Sequence, residues 1–383
     1  MNRSISFLFI LFFVSACIAL PDADGNGCIP PVATFSYPAN QKHEMTTPRQ
    51  ILPSAPWRAE VALPDSPSGA RVYDWISIAR TKAGHDEVWV KRTVDSEGNG
   101  GGNVPATQFL IYRTDTKKWR LLPETINDES VRNGNLYLAK DGTILAEITF
   151  SGDSYFAVYD ERNGDFENLV KSDNLPTGIR LFDGVGTFWI ISPNNGIYSF
   201  NPSNMEVKQH ISIPDLLTES GLYGTMASLA PNGSIYILNI TGDSETKLMH
   251  FFPNTGQLDY VAYRDFLGET AFSLFVDHSG QVWLGDLGWM NSNGVWYKLL
   301  RSPLFITESA ETALKYTWTR PSLVFESSNG LLWFQSANGM TSLDLKAEKW
   351  CWFTTEQSNI VEDPEHNLWM VADGKLYKLE LTR

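Results

Sequence analysis

A short apolar run, a polar turn and a second apolar run that carries a large aromatic side chain recur seven times along the chain. The clearest copies are residues 272–285 (FSLFVDHSGQVWLG), 322–335 (SLVFESSNGLLWFQ) and 359–371 (NIVEDPEHNLWMV). Each copy is too short to bury its own apolar face, so the copies must pack on one another. The pattern therefore predicts a repeat protein built as a stacked or circular array.

The second run of each copy contains one anchor residue at which the copies align, and successive anchors are 36 to 56 residues apart. A four-stranded propeller blade typically takes about 40–50 residues. Apolar and polar residues alternate with period two, which indicates strands, and Gly-, Asn- and Asp-rich turns separate them. We therefore predict an all-β fold, a seven-bladed β-propeller of four-stranded antiparallel blades. The anchors are Trp89, Leu145, Trp189, Tyr236, Trp283, Trp333 and Trp369.

The last unit ends without a fourth strand, whereas residues 57–63 (WRAEVAL) alternate like a strand and belong to no unit. We predict that this N-terminal strand is the outer strand of the last blade and closes the ring, which would remove an exposed sheet edge. The alternative is an open array of six or eight units.

The phrase D-x-x-G-x-[LV]-W-[IL]-[GA], followed by x-x-G-[LIV]-x-x-[LFY], resembles the propeller repeats of two-component regulators. The match is good over residues 277–296 and 329–345, fair over 363–379 and loose in the first four units. Such repeats occur in periplasmic ligand-sensing regions of bacterial hybrid sensors and in related seven-bladed proteins such as virginiamycin B lyase. The resemblance covers nearly all of residues 57–383 and implies a seven-bladed propeller with a sensing or binding role.

The resemblance assigns no catalytic residue. The related lyases use His and Glu near the central axis, and these do not map onto this chain residue by residue. No kinase, receiver or DNA-binding segment follows the propeller in this sequence, which argues against a direct signalling role.

Residues 1–17 (MNRSISFLFILFFVSAC) contain one Arg, an apolar stretch and small residues before Cys17, which matches a bacterial lipoprotein signal peptide. The alternative is a secretory signal over residues 1–19. Both predict export to the cell envelope: as an outer-membrane or surface lipoprotein acylated at Cys17, or else as a secreted or periplasmic protein. Residues 18–56 are rich in Pro, Gly, Asn and Asp without periodicity and are predicted to form a flexible tether before the propeller at 57–383.

Two cysteines remain after Cys17: Cys28 in the tether and Cys351 in the outer strand of the sixth unit. An oxidising compartment permits a disulfide between them. The alternative is two unpaired thiols, and the sequence does not decide between these states.

The formal net charge is -14 and the chain contains no run of Lys or Arg, which argues against nucleic acid as a partner. The six His residues are scattered, with no HxH or HExxH spacing, so no metal site is predicted. The sequence has no GxSxG and no Cys beside a His. We therefore expect no cofactor, name no catalytic residue and favour a protein that is not an enzyme.

In a propeller, the loops that join second to third strands and the connections between blades share one face, which we call the loop face. Long loops on a rigid scaffold are common binding sites. Residues 286–293 (DLGWMNSN) are predicted to form such a loop, with Trp289 as a ligand contact or, alternatively, a packed loop anchor. Residues 307–315 (TESAETALK) are predicted to form a short helix over the rim or the mouth of the central channel. The candidate ligand-binding residues on this face are Trp289, Tyr223, Tyr316, Trp318 and Arg320.

The leading hypothesis is an exported, lipid-anchored monomer that binds a small molecule, a glycan or an envelope protein through its loop face. It would contact a membrane only through the lipid anchor. The alternatives are a lyase or hydrolase with a site in the central channel, and a scaffold subunit of an envelope protein complex. The fold alone does not choose among these functions, and the ligand stays unidentified.

Overall fold

A computed structural model describes most of the repeat region and one short N-terminal strand. The described residues are 27–29, 58–65, 70–82, 85–96, 106–122, 125–126, 129–131, 133–150, 153–172, 175–192, 195–212, 224–240, 246–263, 267, 271, 273–285, 287–298, 322–336, 339–345, 349–353, 359–372 and 374–380. Within these ranges, no helix has the length and apolar character needed to cross a bilayer.

The described residues form seven blades, each an antiparallel sheet of at least four strands, and thereby confirm the predicted seven-bladed propeller. Before the first blade, the strands are β1 (Gly27–Ile29) and β2 (Arg58–Ala62). Blade one contains β3 (Ala70–Lys82), β4 (His85–Ser96), β5 (Ala106–Arg113) and β6 (Lys118–Leu121), and a small hairpin follows with β7 (Thr125–Ile126) and β8 (Glu129–Ser130). Blade two contains β9 (Asn133–Leu138), β10 (Ile144–Phe150), β11 (Asp153–Asp160) and β12 (Asp165–Lys171).

The other five blades follow in chain order. Blade three contains β13 (Ile179–Phe182), β14 (Phe188–Ser192), β15 (Gly196–Asn201) and β16 (Glu206–Ile211). Blade four contains β17 (Gly224–Leu229), β18 (Ile235–Ile240), β19 (Thr246–Phe252) and β20 (Gln257–Val261). Blade five contains β21 (Phe275–Val276), β22 (Val282–Leu284), β23 (Gly288–Met290) and β24 (Trp296–Lys298). Blade six contains β25 (Ser322–Glu326), β26 (Leu331–Ser336), β27 (Gly339–Asp344) and β28 (Lys349–Phe353), and blade seven contains β29 (Ile360–Glu362), β30 (Asn367–Ala372) and β31 (Lys375–Glu380).

The ring closes as the sequence predicts. Strand β2 pairs antiparallel with β31 and is the outer strand of blade seven, with Arg58 opposite Lys378 and Ala62 opposite Lys375. The pairing continues one residue further, where the backbone nitrogen of Leu63 donates a 2.9 Å hydrogen bond to the carbonyl of Gly374. Because β31 is covered in this way, the last blade has the same four-stranded build as its neighbours.

The anchors occupy the same place in every blade: each lies on the second strand, as predicted. The Trp anchors of blades one, five, six and seven are at most 1% exposed. Seven apolar clusters of buried side chains each join two neighbouring blades, including one between blades seven and one. The core is therefore a circle of interfaces between blades, which explains why one copy of the repeat cannot bury its own apolar face.

The first strands of neighbouring blades contact one another around the ring, as β13 does with β17, β17 with β21 and β25 with β29. The first strands therefore surround the central axis. Because the strands of a blade alternate in direction, the two ends of the propeller carry different connections. The loop face carries the second-to-third loops and the connections between blades. The opposite end, which we call the turn face, carries the first-to-second and third-to-fourth hairpin turns.

Candidate functional site

A cavity of about 290 Å³ opens between blades two and three on the loop face. Its lining residues come from β9, the end of β10, the start of β11, the start of β13 and the connection that precedes β13. We call this the loop-face cavity. It is lined by Asn135, Tyr137, Glu147, Thr149, Ser154, Thr177, Gly178 and Arg180.

An ion pair joins the two blades across the cavity. Arg180 Nε of blade three lies 2.6 Å from Glu147 Oε1 of blade two, and both side chains are only 13–14% exposed. The Nε–H direction of Arg180 does not meet hydrogen-bond geometry, so the contact is a close ion pair and not a linear hydrogen bond. The hydroxyl of Tyr137 donates a 3.4 Å hydrogen bond to Glu147 Oε2. Because each charge is neutralised within the site, the cavity has no net charge.

Strand register places the polar groups on one side of blade two. Glu147 on β10 lies opposite Asn135 on β9, and Thr149 lies opposite Ser154 on β11. The hydroxyls of Thr149 and Ser154 are 3.0 Å apart. Since side chains alternate between the faces of a strand, Glu147 and Thr149 point to the same side. Three neighbouring strands therefore present an amide, a carboxylate and two hydroxyls together.

A glycine allows Arg180 to reach the cavity. A Cβ atom on Gly178 would lie 2.3 Å from the carbonyl oxygen of Ile191, so only glycine lets this connection cross the backbone of β14 so closely. The carbonyl of Gly178 also accepts a 3.2 Å hydrogen bond from Arg180 Nη1. This hydrogen bond holds the Arg180 side chain against the connection that precedes β13.

Burial shifts the pKa values of Glu147 and Tyr137, whose side chains contact each other. Burial raises the pKa of the Glu147 carboxyl, and the nearby Arg180 charge opposes that rise without cancelling it. Burial also raises the pKa of the Tyr137 hydroxyl, and the negative charge of Glu147 adds to the effect. The Tyr137 hydroxyl therefore stays protonated at neutral pH and remains a hydrogen-bond donor.

A second cavity, of about 450 Å³, lies between the outer parts of blades four and five. Within it, His250 stacks on Tyr236 with ring centroids 3.9 Å apart, and His250 Nε2 lies 2.7 Å from Ser234 Oγ. Burial lowers the pKa of His250, and Asp259 opposes that shift. Ser234 is only 4% exposed, and its hydroxyl also bonds Asn232 Oδ1 at 2.7 Å. A nucleophile needs access to its substrate, so we interpret this Ser–His pair as structural.

Two His–Glu pairs lie on the turn face, at the ends of first strands. His278 Nδ1 is 3.0 Å from Glu326, and His366 Nδ1 is 3.0 Å from Glu362. Ser328 Oγ lies 2.7 Å from that same His366 Nδ1. In a catalytic relay the nucleophile and the orienting carboxylate contact different nitrogens of the His ring. Ser328 and Glu362 both contact Nδ1 of His366, so these three side chains do not have relay geometry.

The same glutamates hold neighbouring blades together. Glu326 of blade six accepts the backbone N–H of His278 in blade five at 2.6 Å. Glu362 of blade seven accepts the backbone N–H of Ser328 in blade six at 2.7 Å. The repetition in successive blades indicates a structural contact between blades.

Among the residues that the structure describes, no group of three or more His, Cys, Asp or Glu side chains could hold a metal ion.

The prediction that Trp289 lies in a loop over residues 286–293 is wrong, and its ring is packed, as the alternative interpretation held. Trp289 lies in β23 at 7% exposure, between the rings of Trp283 and Tyr297, with centroids 4.7 and 5.2 Å away. Gly288 begins the third strand of blade five, so the loop before it is much shorter than residues 286–293. A ring stacked on both sides presents no face to a ligand, and Trp289 instead packs blade five on blade six.

The other candidates on the loop face lie outside the described residues. These are Tyr223, Tyr316, Trp318 and Arg320, together with the helix predicted over 307–315 and the lipidation site Cys17. Of the five predicted ligand contacts, Trp289 alone lies among the described residues, and it does not line the loop-face cavity. Cys28 and Cys351 lie in β1 and β28, which pair with each other.

Glu147, Arg180 and Tyr137 were not among the residues predicted to bind a ligand. A signal was present, because Glu147 interrupts the apolar run ILAEITF and Arg180 interrupts the short strand IRLF. A charged residue inside a strand that packs between two blades needs a partner. Each charge alone indicates only that some partner exists, and the packing of blade two on blade three is what joins them.

No protein-family model matches the chain, and no curated protein matches it in sequence. Similar solved structures include the extracellular domain of a candidate hybrid two-component system from Bacteroides thetaiotaomicron, at 14% identity, TM-score 0.48, and coverage of 79% of this chain and 39% of that one. PorZ, a surface component of the type-IX secretion system of Porphyromonas gingivalis, is similar at 14% identity and TM-score 0.46, over 79% of this chain and 46% of PorZ. YCF48 bound to D1 peptide is similar at 11% identity and TM-score 0.49, over 84% and 98% of the two chains. This chain spans less than half the length of the first two proteins, and similarity at this level identifies no ligand, reaction or partner.

Proposed function

We propose that this protein is an exported, lipid-anchored binding module that holds a small neutral saccharide in the loop-face cavity. The observation that carries the proposal is the internally neutral Glu147–Arg180 pair, surrounded by hydroxyl and amide groups, on the face where propeller loops commonly bind ligands. The sequence of residues 1–17 supports export and acylation of Cys17.

The chemistry of the lining favours a polyhydroxylated ligand. Asn135, Thr149, Ser154 and Thr177 both donate and accept hydrogen bonds, as sugar hydroxyls do. A charged ligand would have to compete with Arg180 or Glu147 for a partner already held at 2.6 Å. The volume of about 290 Å³ is at the lower end of the range for ligand pockets, which suits one or two sugar rings.

A thermal-shift screen of the wild-type protein tests ligand binding. The panel contains neutral mono- and disaccharides, amino acids and divalent cations. A ligand that binds only the native state raises the melting temperature by mass action. We expect a neutral saccharide to do so, and stabilisation by the amino acids or cations alone would contradict the assignment. The matched variant is Glu147→Gln with Arg180→Gln, which removes both charges and leaves neither buried without its partner.

A separate measurement tests the anchor. Mass spectrometry of the mature N-terminus should find an acylated Cys17, and Cys17→Ala should release the protein from the membrane fraction. A mature chain that begins after Ala19 would contradict lipid anchoring and leave the binding proposal intact.

A second candidate function is acid–base catalysis at the turn face, because His366 and Glu362 lie within hydrogen-bond reach near the central axis. If this function holds, the wild type should turn over a substrate bound at the turn face, and His366→Gln should abolish that turnover. We place it second because Glu362 also accepts the backbone N–H of Ser328, a structural contact between blades.

A further inference from the structure

Blade six has a fifth strand, which the repeat pattern does not predict. Strand β1 pairs antiparallel with β28 along the outer edge of blade six. The register places Gly27 opposite Trp352, Cys28 opposite Cys351, and Ile29 opposite Trp350. The N-terminal segment therefore meets the ring at two places: β1 on blade six and β2 on blade seven.

We infer that Cys28 and Cys351 form a disulfide that fixes the N-terminal segment to blade six. Directly opposed residues of an antiparallel pair have Cα atoms about 4.5–5.5 Å apart. Disulfides span Cα separations of about 4.4–6.8 Å, so opposed residues need no backbone movement to be bridged. The backbone register thus brings the two Cα atoms within the separation that a disulfide spans, which the sequence alone could not show.

The cysteine content makes the pairing unambiguous. The chain has three cysteines, and acylation would occupy the thiol of Cys17. Cys28 and Cys351 are then the two thiols left, and they occupy the opposed positions in the register. This step rests on the proposed export, because disulfides persist in oxidising compartments and not in the cytosol.

The bond forms by thiol–disulfide exchange. One cysteine thiolate attacks the disulfide of an envelope thiol–disulfide oxidoreductase, and the second thiolate then resolves the mixed disulfide. The two thiols of this chain lose two protons and two electrons as the S–S bond forms. The oxidoreductase accepts the electrons and is reduced to a dithiol.

The disulfide would change how the propeller is held at the membrane. Cys28 lies 11 positions after Cys17, whereas Arg58, where β2 begins, lies 41 positions after it. An extended chain spans at most about 3.3–3.6 Å per residue, so the bond shortens the maximal reach of the tether to about a quarter. The edge of blade six, and not the start of β2, then becomes the covalent attachment point of the ring.

Peptide mapping of the mature full-length protein tests the inference. The protein is purified from the envelope without reductant and with iodoacetamide present, and is then digested with trypsin. We expect residues 350–375 to be linked to the peptide that ends at Lys42, and the link to vanish on reduction. In Cys28→Ser, the Cys351 thiol should instead be alkylated. Alkylation of both thiols in the wild type, or a link from Cys28 to Cys17 or to a second chain, would overturn the pairing.

A second preparation tests whether Cys28 and Cys351 pair in protein that has not been exported. The chain without residues 1–17 is produced in the cytosol and allowed to oxidise in a glutathione redox buffer. We expect the same linked peptides, because the register and not the compartment positions the cysteines. The link in this buffer but not in protein from the envelope would overturn the disulfide of the native protein and leave only the register argument, whereas its absence from both preparations would overturn the register argument as well. Recovery of the wild-type protein from the cytosol and not from the envelope would refute export.

Discussion

The indole nitrogen of Trp369 donates a 2.7 Å hydrogen bond to Oδ2 of Asp363, six positions earlier in the chain. The other oxygen of Asp363 accepts backbone N–H groups of the intervening turn. Asp277 and Trp283 repeat the arrangement in blade five at 2.8 Å. One buried carboxylate therefore shapes the turn and fixes the anchor ring, which explains the recurrence of Asp and Trp at this spacing.

Replacing this carboxylate should destabilise the propeller. Asp363→Ala leaves the buried Trp369 nitrogen and the turn N–H groups without their acceptor, and hydrogen bonds to a charged group contribute about 1.5–3 kcal/mol. The measurement is the free energy of unfolding in urea. Asp141→Ala is the control, because Asp141 is exposed and accepts from the backbone of Thr143. Equal losses in both variants would contradict the role assigned to Asp363.

The turn and anchor positions could be predicted from the sequence, because a structure that repeats seven times leaves a readable period. The closing strand was also predictable, since residues 57–63 alternate and the last unit is one strand short. The loop-face cavity was not, because Glu147 and Arg180 lie 33 positions apart in different blades. The position of Trp289 was predicted wrongly because Gly288 precedes it and Asn291 and Ser292 follow soon after, which suggests a loop even though blade packing buries the ring.

Trp289 should contribute to stability and not to ligand binding. Trp289→Ala removes a ring stacked between Trp283 and Tyr297, and truncating a buried aromatic costs about 3–5 kcal/mol. Denaturant unfolding should show that loss, and Trp289→Phe should recover part of it. A Trp289→Ala variant with wild-type stability and weakened saccharide binding would contradict this role and support Trp289 as a ligand contact.

The closing strand should depend on blade one as well as on blade seven. The hydroxyl of Tyr112 in blade one donates a 3.3 Å hydrogen bond to Glu60 of β2. Burial, followed by the charge of Glu60, raises the pKa of Tyr112 to about 12. We expect Tyr112→Phe to reduce the free energy of unfolding by about 1 kcal/mol. The control Tyr260→Phe alters an exposed ring, and an equal effect there would show that Tyr112 does not hold β2.

Glu147 should make stability depend on pH. Its native pKa is raised above the ordinary value of 4.5, so the native state retains a proton that the unfolded chain has already lost. The stabilising contribution is present below pH 4.5 and decreases as the pH rises through the native pKa. Urea midpoints measured from pH 4 to 7 should therefore fall more steeply for the wild type than for Glu147→Gln. Parallel profiles would contradict the shift.

Calorimetric titration of the saccharide that most stabilises the wild type tests the loop-face cavity most directly. It compares the wild type, the double variant Glu147→Gln with Arg180→Gln, and Arg162→Gln, which alters a highly exposed arginine on the turn face of blade two. We predict that affinity falls at least tenfold in the double variant and is unchanged in Arg162→Gln, with circular dichroism showing that all three proteins are folded. Wild-type affinity in a folded double variant would place the ligand elsewhere and contradict the proposed site.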